Sequence, residues 1–187
     1  MNNALDVVAI VGSLREGSLT RRMVLALFEM MQDSLKIEIL DISGLPLYNP
    51  DVDSTPPASW SGFRSRVKRA DAVLFATPEY NRSVPGALKN AIDVGSRPYG
   101  SSAWVGKPAA VLSVSPGAMG GFGANHHLRQ SLVFLDMPTL QQPEAYIGGA
   151  DKLLDEEGRI VNPATRQFLM RFGQTFEAWI RRQQRAT

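Results

Sequence analysis

Short β-branched runs alternate along the chain with longer stretches whose apolar positions repeat at helical spacing. The run DVVAIV at 6–11 ends at Gly12 and reads as a strand buried on both faces. After it, Val24, Leu27, Phe28 and Met31 share one helical face. KIEIL at 36–40 alternates as a second strand does, and Pro46, Pro50, Pro56 and Pro57 mark 46–57 as a loop. A polar helix over 59–69 leads into AVLFA at 72–76, a third buried strand. Pro85 suits the first position of the next helix, whose apolar face is Leu88, Ala91 and Ile92. A fourth strand is expected over 108–114, a helix over 125–135 and a short fifth strand over 139–141. The stretch 145–161 reads as irregular. The last helix, from Pro163, carries Phe168, Phe172, Phe176 and Trp179 as a stripe for core packing.

Strand–helix alternation with no composition break and no internal repeat predicts one α/β domain over 1–187, a parallel sheet with helices on both faces. Ligands of such sheets bind beyond the carboxyl ends of the strands. The loops after the first, third and fourth strands are therefore the places to look for chemistry. Composition narrows that chemistry. At 44% hydrophobic and 20% charged, the 187-residue chain has the makeup of a globular domain, not a disordered one. A net charge of +2 without a basic run does not call for nucleic acid. Arg181, Arg182 and Arg185 read as a solvated helix end, where the macrodipole favours cations. The absence of cysteine excludes disulfides, thiolate catalysis and cysteine-ligated metal. Val7–Val11 is too short for a signal-peptide core or a membrane span, so no membrane partner and a cytoplasmic location are expected.

The first loop, GSLREGSLT at 12–20, joins a strand to a helix. Its glycines permit a tight turn, and the helix start presents unpaired N–H groups with a partial positive charge. Ser13, Ser18 and Thr20 add hydroxyls, and Arg15 adds a guanidinium. Leu14 breaks the dinucleotide fingerprint, and Ser18-Leu19 stands where a P-loop needs Lys-Ser/Thr. What remains suits a terminal monophosphate such as that of FMN. The plainer alternative is a capped strand-to-helix turn without a ligand.

The second loop, 77–84, holds Pro78, Glu79, Tyr80 and Asn81, a rigid segment able to border a flat ring. Alone it reads equally as an ordinary turn with a helix cap at Ser83. The third, 115–123, has four glycines in nine residues, among them Gly117, with Ser115 at its start. Such a backbone can lie against a planar ligand or form a mobile flap. His126 and His127 just beyond lack metal-ligand spacing and read as helix-start residues, so no metal is expected.

Together the three segments, GSLREGSLTR at 12–21, TPEYNRSVPGALKNAID at 77–93 and SPGAMGGFGANHHLRQSLVFLDM at 115–137, resemble the NADPH-dependent FMN reductase family, in its chromate and quinone reductase branch. The resemblance runs from residue 6 to about 148. It implies a flavodoxin-like fold with a five-stranded sheet, bound FMN, NADPH or NADH as co-substrate, and a homodimer or homotetramer. By that resemblance Ser13, Arg15 and Ser18 hold the phosphate, with Thr20 where relatives usually have Asn. Pro78, Glu79, Tyr80 and Asn81 line the ring, and Ser115 and Gly117 approach it. Arg82 replaces a common Tyr and is assigned to anionic substrate or nucleotide. Arg129 and Glu144 match family positions near a subunit interface.

The expected activity is oxidation of NAD(P)H in one half-reaction and reduction of a small acceptor in a second. Quinones, azo compounds, free flavin and oxidised metal ions such as chromate are the acceptors to expect. No protein acid or base is assigned, because placement is the protein's main task in such chemistry. The alternative is an electron carrier or flavin-based redox sensor without turnover; carriers of this fold are typically acidic, and this chain is slightly basic.

Overall fold

The computed structural model describes residues 4–185. The strands are β1 (Leu5–Val11), β2 (Leu35–Leu40), β3 (Ala72–Thr77), β4 (Ala109–Val114) and β5 (Ala145–Ile147). The helices are α1 (Leu19–Met31), α2 (Ala58–Arg69), α3 (Gly86–Gly95), α4 (Phe122–Phe134) and α5 (Pro163–Gln184). All strand pairs are parallel, in the order β2-β1-β3-β4-β5.

The strand pattern divides the core in two. Val7, Ala9 and Val11 of β1, with Leu74 of β3 and Leu112 of β4, face α1 and α5. Val8, Ile10, Phe75 and Val111 face the other way, into the layer that includes Trp60, Leu88, Trp104 and Leu128. Both faces are covered, which is why these strands read as continuous apolar runs. The α5 stripe is core as expected: Phe172 and Phe176 are each 1% exposed, and Phe168 and Trp179 pack at the edge. Gly173 lets α1 and α5 close, because a Cβ there would lie 2.7 Å from Met31. At the end of α5, Arg181 pairs with Glu177 and Arg182 lies over Trp179, so the basic cluster is a helix end.

Five expectations change. The fifth strand is Ala145–Ile147, not 139–141, and it pairs with Leu112–Val114. Thr139 makes only an isolated bridge to Ala109. Pro138 and Pro143 flank that stretch and cannot donate to a ladder. The span 145–161 is accordingly not irregular: it holds β5, a 3₁₀ turn at Ala150–Lys152 and a bridge between Leu154 and Ile160. At the helix starts, Pro85 is the residue before α3 rather than its first, and α4 begins at Phe122, earlier than the apolar spacing suggested. Pro108 precedes β4 but still accepts a hydrogen bond from Val73 N–H through its carbonyl.

Candidate functional site

The strand order reverses between β1 and β3, and in sheets of this kind ligands sit beyond the carboxyl edge at that point, among the loops that leave these strands. Loop 1 (12–18) begins against the end of β3, from which loop 2 (77–85) leaves: Gly12 N–H donates to Ala76 O at 2.8 Å. A Cβ at Gly12 would lie 3.2 Å from Leu88 and 3.3 Å from Thr77, so the chain passes here at close quarters.

Beyond Gly12, loop 1 turns outward. Ser18 caps α1, its Oγ accepting from Arg21 N–H at 3.1 Å. The first turn of α1 carries no acidic residue, so its partial positive charge has no acidic partner within that turn. Ser13 is half-buried and Arg15 exposed, with the Arg15 guanidinium folded back to within 3.9 Å of where a Gly17 Cβ would stand. Thr20 lies in the first helical turn and is 2% exposed, beneath the loop rather than on its rim. A cleft of about 230 Å³ runs between Ser13–Glu16 and Asp41–Ser43, with Arg21 at its side. The Ser43 N–H donated to Asp41, its hydroxyl and the Arg21 charge hold the Asp41 carboxyl below its usual range.

Loop 2 is a two-residue hairpin. Tyr80 and Ser83 exchange both backbone hydrogen bonds at 3.0 Å, and the corner residues Asn81 (φ 51°) and Arg82 (φ 64°) are both left-handed. Asn tolerates this conformation; Arg does so at a cost. The turn presents Tyr80, 51% exposed, and throws the Arg82 side chain into solvent. Pro78 is tied by Thr77 Oγ1, which donates to its carbonyl at 2.7 Å. The Glu79 carboxylate accepts from Ala124 N–H of α4 at 3.0 Å. Ser83, the alternative helix cap, instead meets His127 Nδ1 at 2.7 Å.

Loop 3 (115–121) is braced against the end of β5. Ser115 N–H donates to Ile147 O at 2.9 Å, and Ala150 N–H donates to Ser115 O at 3.1 Å. Gly117 N–H donates to Ser115 Oγ at 3.0 Å. Gly120 has φ 58°, and a Cβ there would lie 2.7 Å from the Tyr146 backbone. A Cβ at Gly148 would lie 2.5 Å from Ala118 O. These glycines serve contact, which answers the flap reading: the loop is packed. Loop 3 is thus braced by the end of β5, and loop 2 is tied to α4. Among the described residues no hydrogen bond joins Ser13 or Arg15 to either loop.

A buried polar network under loop 3 joins Arg129, named by the resemblance alone, to Asn125, which the sequence reading missed. Asn125, fully buried, donates to Ser113 Oγ (3.2 Å) and Ala145 O (3.3 Å). Arg129 donates to Asn125 Oδ1 (2.9 Å) and Leu140 O (3.0 Å), while its Nη2 is buried without a partner. Burial holds the Arg129 guanidinium below its usual range, and Glu144 opposes that shift. Tyr146 is pushed up from 10.0 to about 12 by burial first and then by Glu144, and its hydroxyl meets His126 Nε2 at 2.9 Å. The two histidines, in the second turn of α4, thus serve opposite flanks. Polar residues buried in mid-helix carry no distinctive spacing, so no pattern pointed to Asn125, and Arg129 and Glu144 stood out only through the family resemblance.

A parallel sheet in this order, with a hydroxyl-capped helix start at its switch point, defines the flavodoxin-like class of α/β proteins. Comparison with known proteins narrows the class. The family model for NADPH-dependent FMN reductase matches residues 5–152. The chain is 59% identical over 182 residues to a quinone reductase of Pseudomonas putida, covering 97% of each. It is 42% identical to a 2-hydroxy-1,4-benzoquinone reductase of a Burkholderia species, over 95% of this chain and 97% of that one. Among solved structures, the flavoenzyme NAD(P)H:(acceptor) oxidoreductase FerB of Paracoccus denitrificans superposes with a TM-score of 0.92 at 38% identity, over 96% and 99% of the chains. The protein belongs to the NADPH-dependent FMN reductase family. It is an oxidoreductase with FMN as cofactor and NAD(P)H as co-substrate. The loops fit that group: a helix start with a serine cap and no acidic residue in its first turn suits a phosphate, and the braced hairpin and glycine loop suit a planar ring.

Proposed function

We propose that the protein reduces quinones at the expense of NAD(P)H, with FMN phosphate at the start of α1 and the ring against loops 2 and 3. The acid-free start of α1 at the switch point carries this reading. It offers backbone N–H groups, the Ser18 hydroxyl hydrogen and the exposed Arg15 guanidinium to one dianion. Ser13 closes the near side and Thr20 walls the base. Pro78, Tyr80 and Asn81, with the Glu79 backbone, border one edge of the ring; Ser115 and Gly117 border the other. FMN, when bound, supplies the redox chemistry. The chain's own work is to hold the ring and leave one face open, so that nucleotide and acceptor use it in turn. Arg82, exposed at the hairpin tip, attracts the nucleotide phosphates or an anionic acceptor. An open face of this kind also admits azo compounds, free flavin and chromate as secondary oxidants.

We also assign the protein to a homo-oligomer. Tyr99 (82% exposed), Val105 and Phe134 (79%) together line a 290 Å³ hollow at the opposite edge of the sheet, and Val133 beside Phe134 in the chain is also exposed. Among the described residues no helix is long and apolar enough to cross a membrane, so these residues are not part of a spanning helix.

Steady-state assay of the purified holoprotein with NADPH, NADH and a simple benzoquinone tests the activity. Turnover with both substrates present, and none when either is omitted, is the expected result. A yellow protein that is bleached by NADPH yet passes nothing to quinone would replace this reading with that of a carrier.

A further inference from the structure

Helix α4 starts without a capping side chain of its own. Its N-cap is Gly121, held at φ 75° against Ser113, and its first turn contains no acidic residue. The N–H groups of a first turn normally require such a cap. The Ala124 N–H nevertheless has a partner: Glu79 Oε2, 3.0 Å away and 45 positions earlier in the chain. A carboxylate is well suited there, because the helix start carries partial positive charge.

The contact is built in from both sides. The Glu79 side chain is only 14% exposed, although it leaves a surface hairpin. At Gly123 a Cβ would stand 2.9 Å from Glu79 Oε2 and 3.1 Å from Arg82 O, so the hairpin can approach α4 only where no side chain intervenes. Arg82 lies 3.4 Å from Oε1, but with its side chain 81% exposed the pair contributes little. A second tie, Ser83 to His127, fastens the far end of the hairpin to the same helix.

We propose that Glu79 is a positioning residue: from loop 2 its carboxylate caps α4 in trans and fixes the spacing between loops 2 and 3. This rests on the reading that the ring lies against both loops. Loop 3 runs directly into α4, so a cap donated by loop 2 makes the two walls one rigid unit. The slot is then set before the ring arrives, and binding need not order it. Glu79 does this without touching the reacting atoms.

Glu79→Ala, Glu79→Gln and Gly123→Ala in the full chain test the proposal through two readouts. Hydrogen exchange at the Ala124 amide, measured on apoprotein, reports the cap. Quenching of flavin fluorescence on titration with FMN reports the slot. Glu79→Ala should speed exchange at Ala124 and weaken FMN binding roughly 5- to 10-fold. Glu79→Gln retains an acceptor oxygen at the same reach and should stay within about 3-fold of the parent in both readouts. Gly123→Ala should reproduce Glu79→Ala although Glu79 is still present. Rescue by Gln separates a lost cap from general destabilisation.

Unchanged exchange at Ala124 in Glu79→Ala would overturn the cap. Faster exchange with unaltered FMN affinity would overturn its link to the slot. Failure of the parent protein to bind FMN at all would discard the ring placement and the slot with it, while the exchange data alone would still decide the cap.

Discussion

The two ends of the cofactor site are built on opposite plans. Loop 1 presents polar groups that the chain itself does not use: Arg15 is exposed, and the first turn of α1 carries no acidic residue. Loops 2 and 3 spend their polar groups internally, on the Tyr80–Ser83 pair, the Glu79–Ala124 cap and the Ser115–Ile147 bond. The difference assigns the tasks. On the proposed reading, a charged phosphate supplies the missing partners at one end and holds the cofactor, whereas the other end is finished in advance and only has to be the right shape.

Substitutions should therefore separate affinity from stability. The largest effect is expected at Arg15. Arg15→Ala removes a charge-assisted contact of about 1.5–3 kcal/mol, so FMN affinity should fall some 10- to 150-fold. Thermal melting of the apoprotein should not change, because nothing in the chain relies on that side chain. The converse is expected at Gly148, where a Cβ would collide with Ala118 O at 2.5 Å. Gly148→Ala should cost about 1–3 kcal/mol in urea unfolding. A variant that lost FMN affinity at Gly148 with no loss of stability would break the contrast.

A smaller effect separates backbone from charge at the hairpin tip. Arg82→Gly relieves a left-handed residue and should stabilise the apoprotein by about 1 kcal/mol. The same change should raise the KM for NADPH a few-fold if the guanidinium attracts its phosphates; calorimetry and initial rates report the two effects independently. The last effect concerns pH and is confined to the alkaline range. The folded state raises Tyr146 from 10.0 to about 12, favouring the neutral phenol. That contribution is complete below pH 10 and is lost as pH rises through about 12, so alkaline denaturation should include it. Tyr146→Phe should flatten the stability profile between those values, and an unaltered slope would show that Tyr146 takes no part.

Much of this was legible in the residues. Asp6–Val11 and Ala72–Ala76 stand out because strands buried on both faces leave continuous apolar runs. Ser13, Arg15 and Ser18 stand out because they gather polar groups at a strand-to-helix turn. β5 was not legible, since Ala145–Ile147 is too short to show a period and takes its identity from pairing with Leu112–Val114. The Glu79 cap was hidden for a related reason: the contact joins positions far apart in the chain, and Glu79 in isolation looked like part of the ring border. Glycines 120 and 148 were visible as letters, but whether they served mobility or contact depended on which backbone lay opposite.

Comparative titration of the apoprotein with FMN and with riboflavin, which lacks only the phosphate, bears most directly on the division of labour between the two ends. If loop 1 grips the phosphate while loops 2 and 3 merely seat the ring, FMN should bind at least about 100-fold more tightly than riboflavin, the return on one or two charge-assisted contacts. Equal affinity for the two flavins would contradict that account.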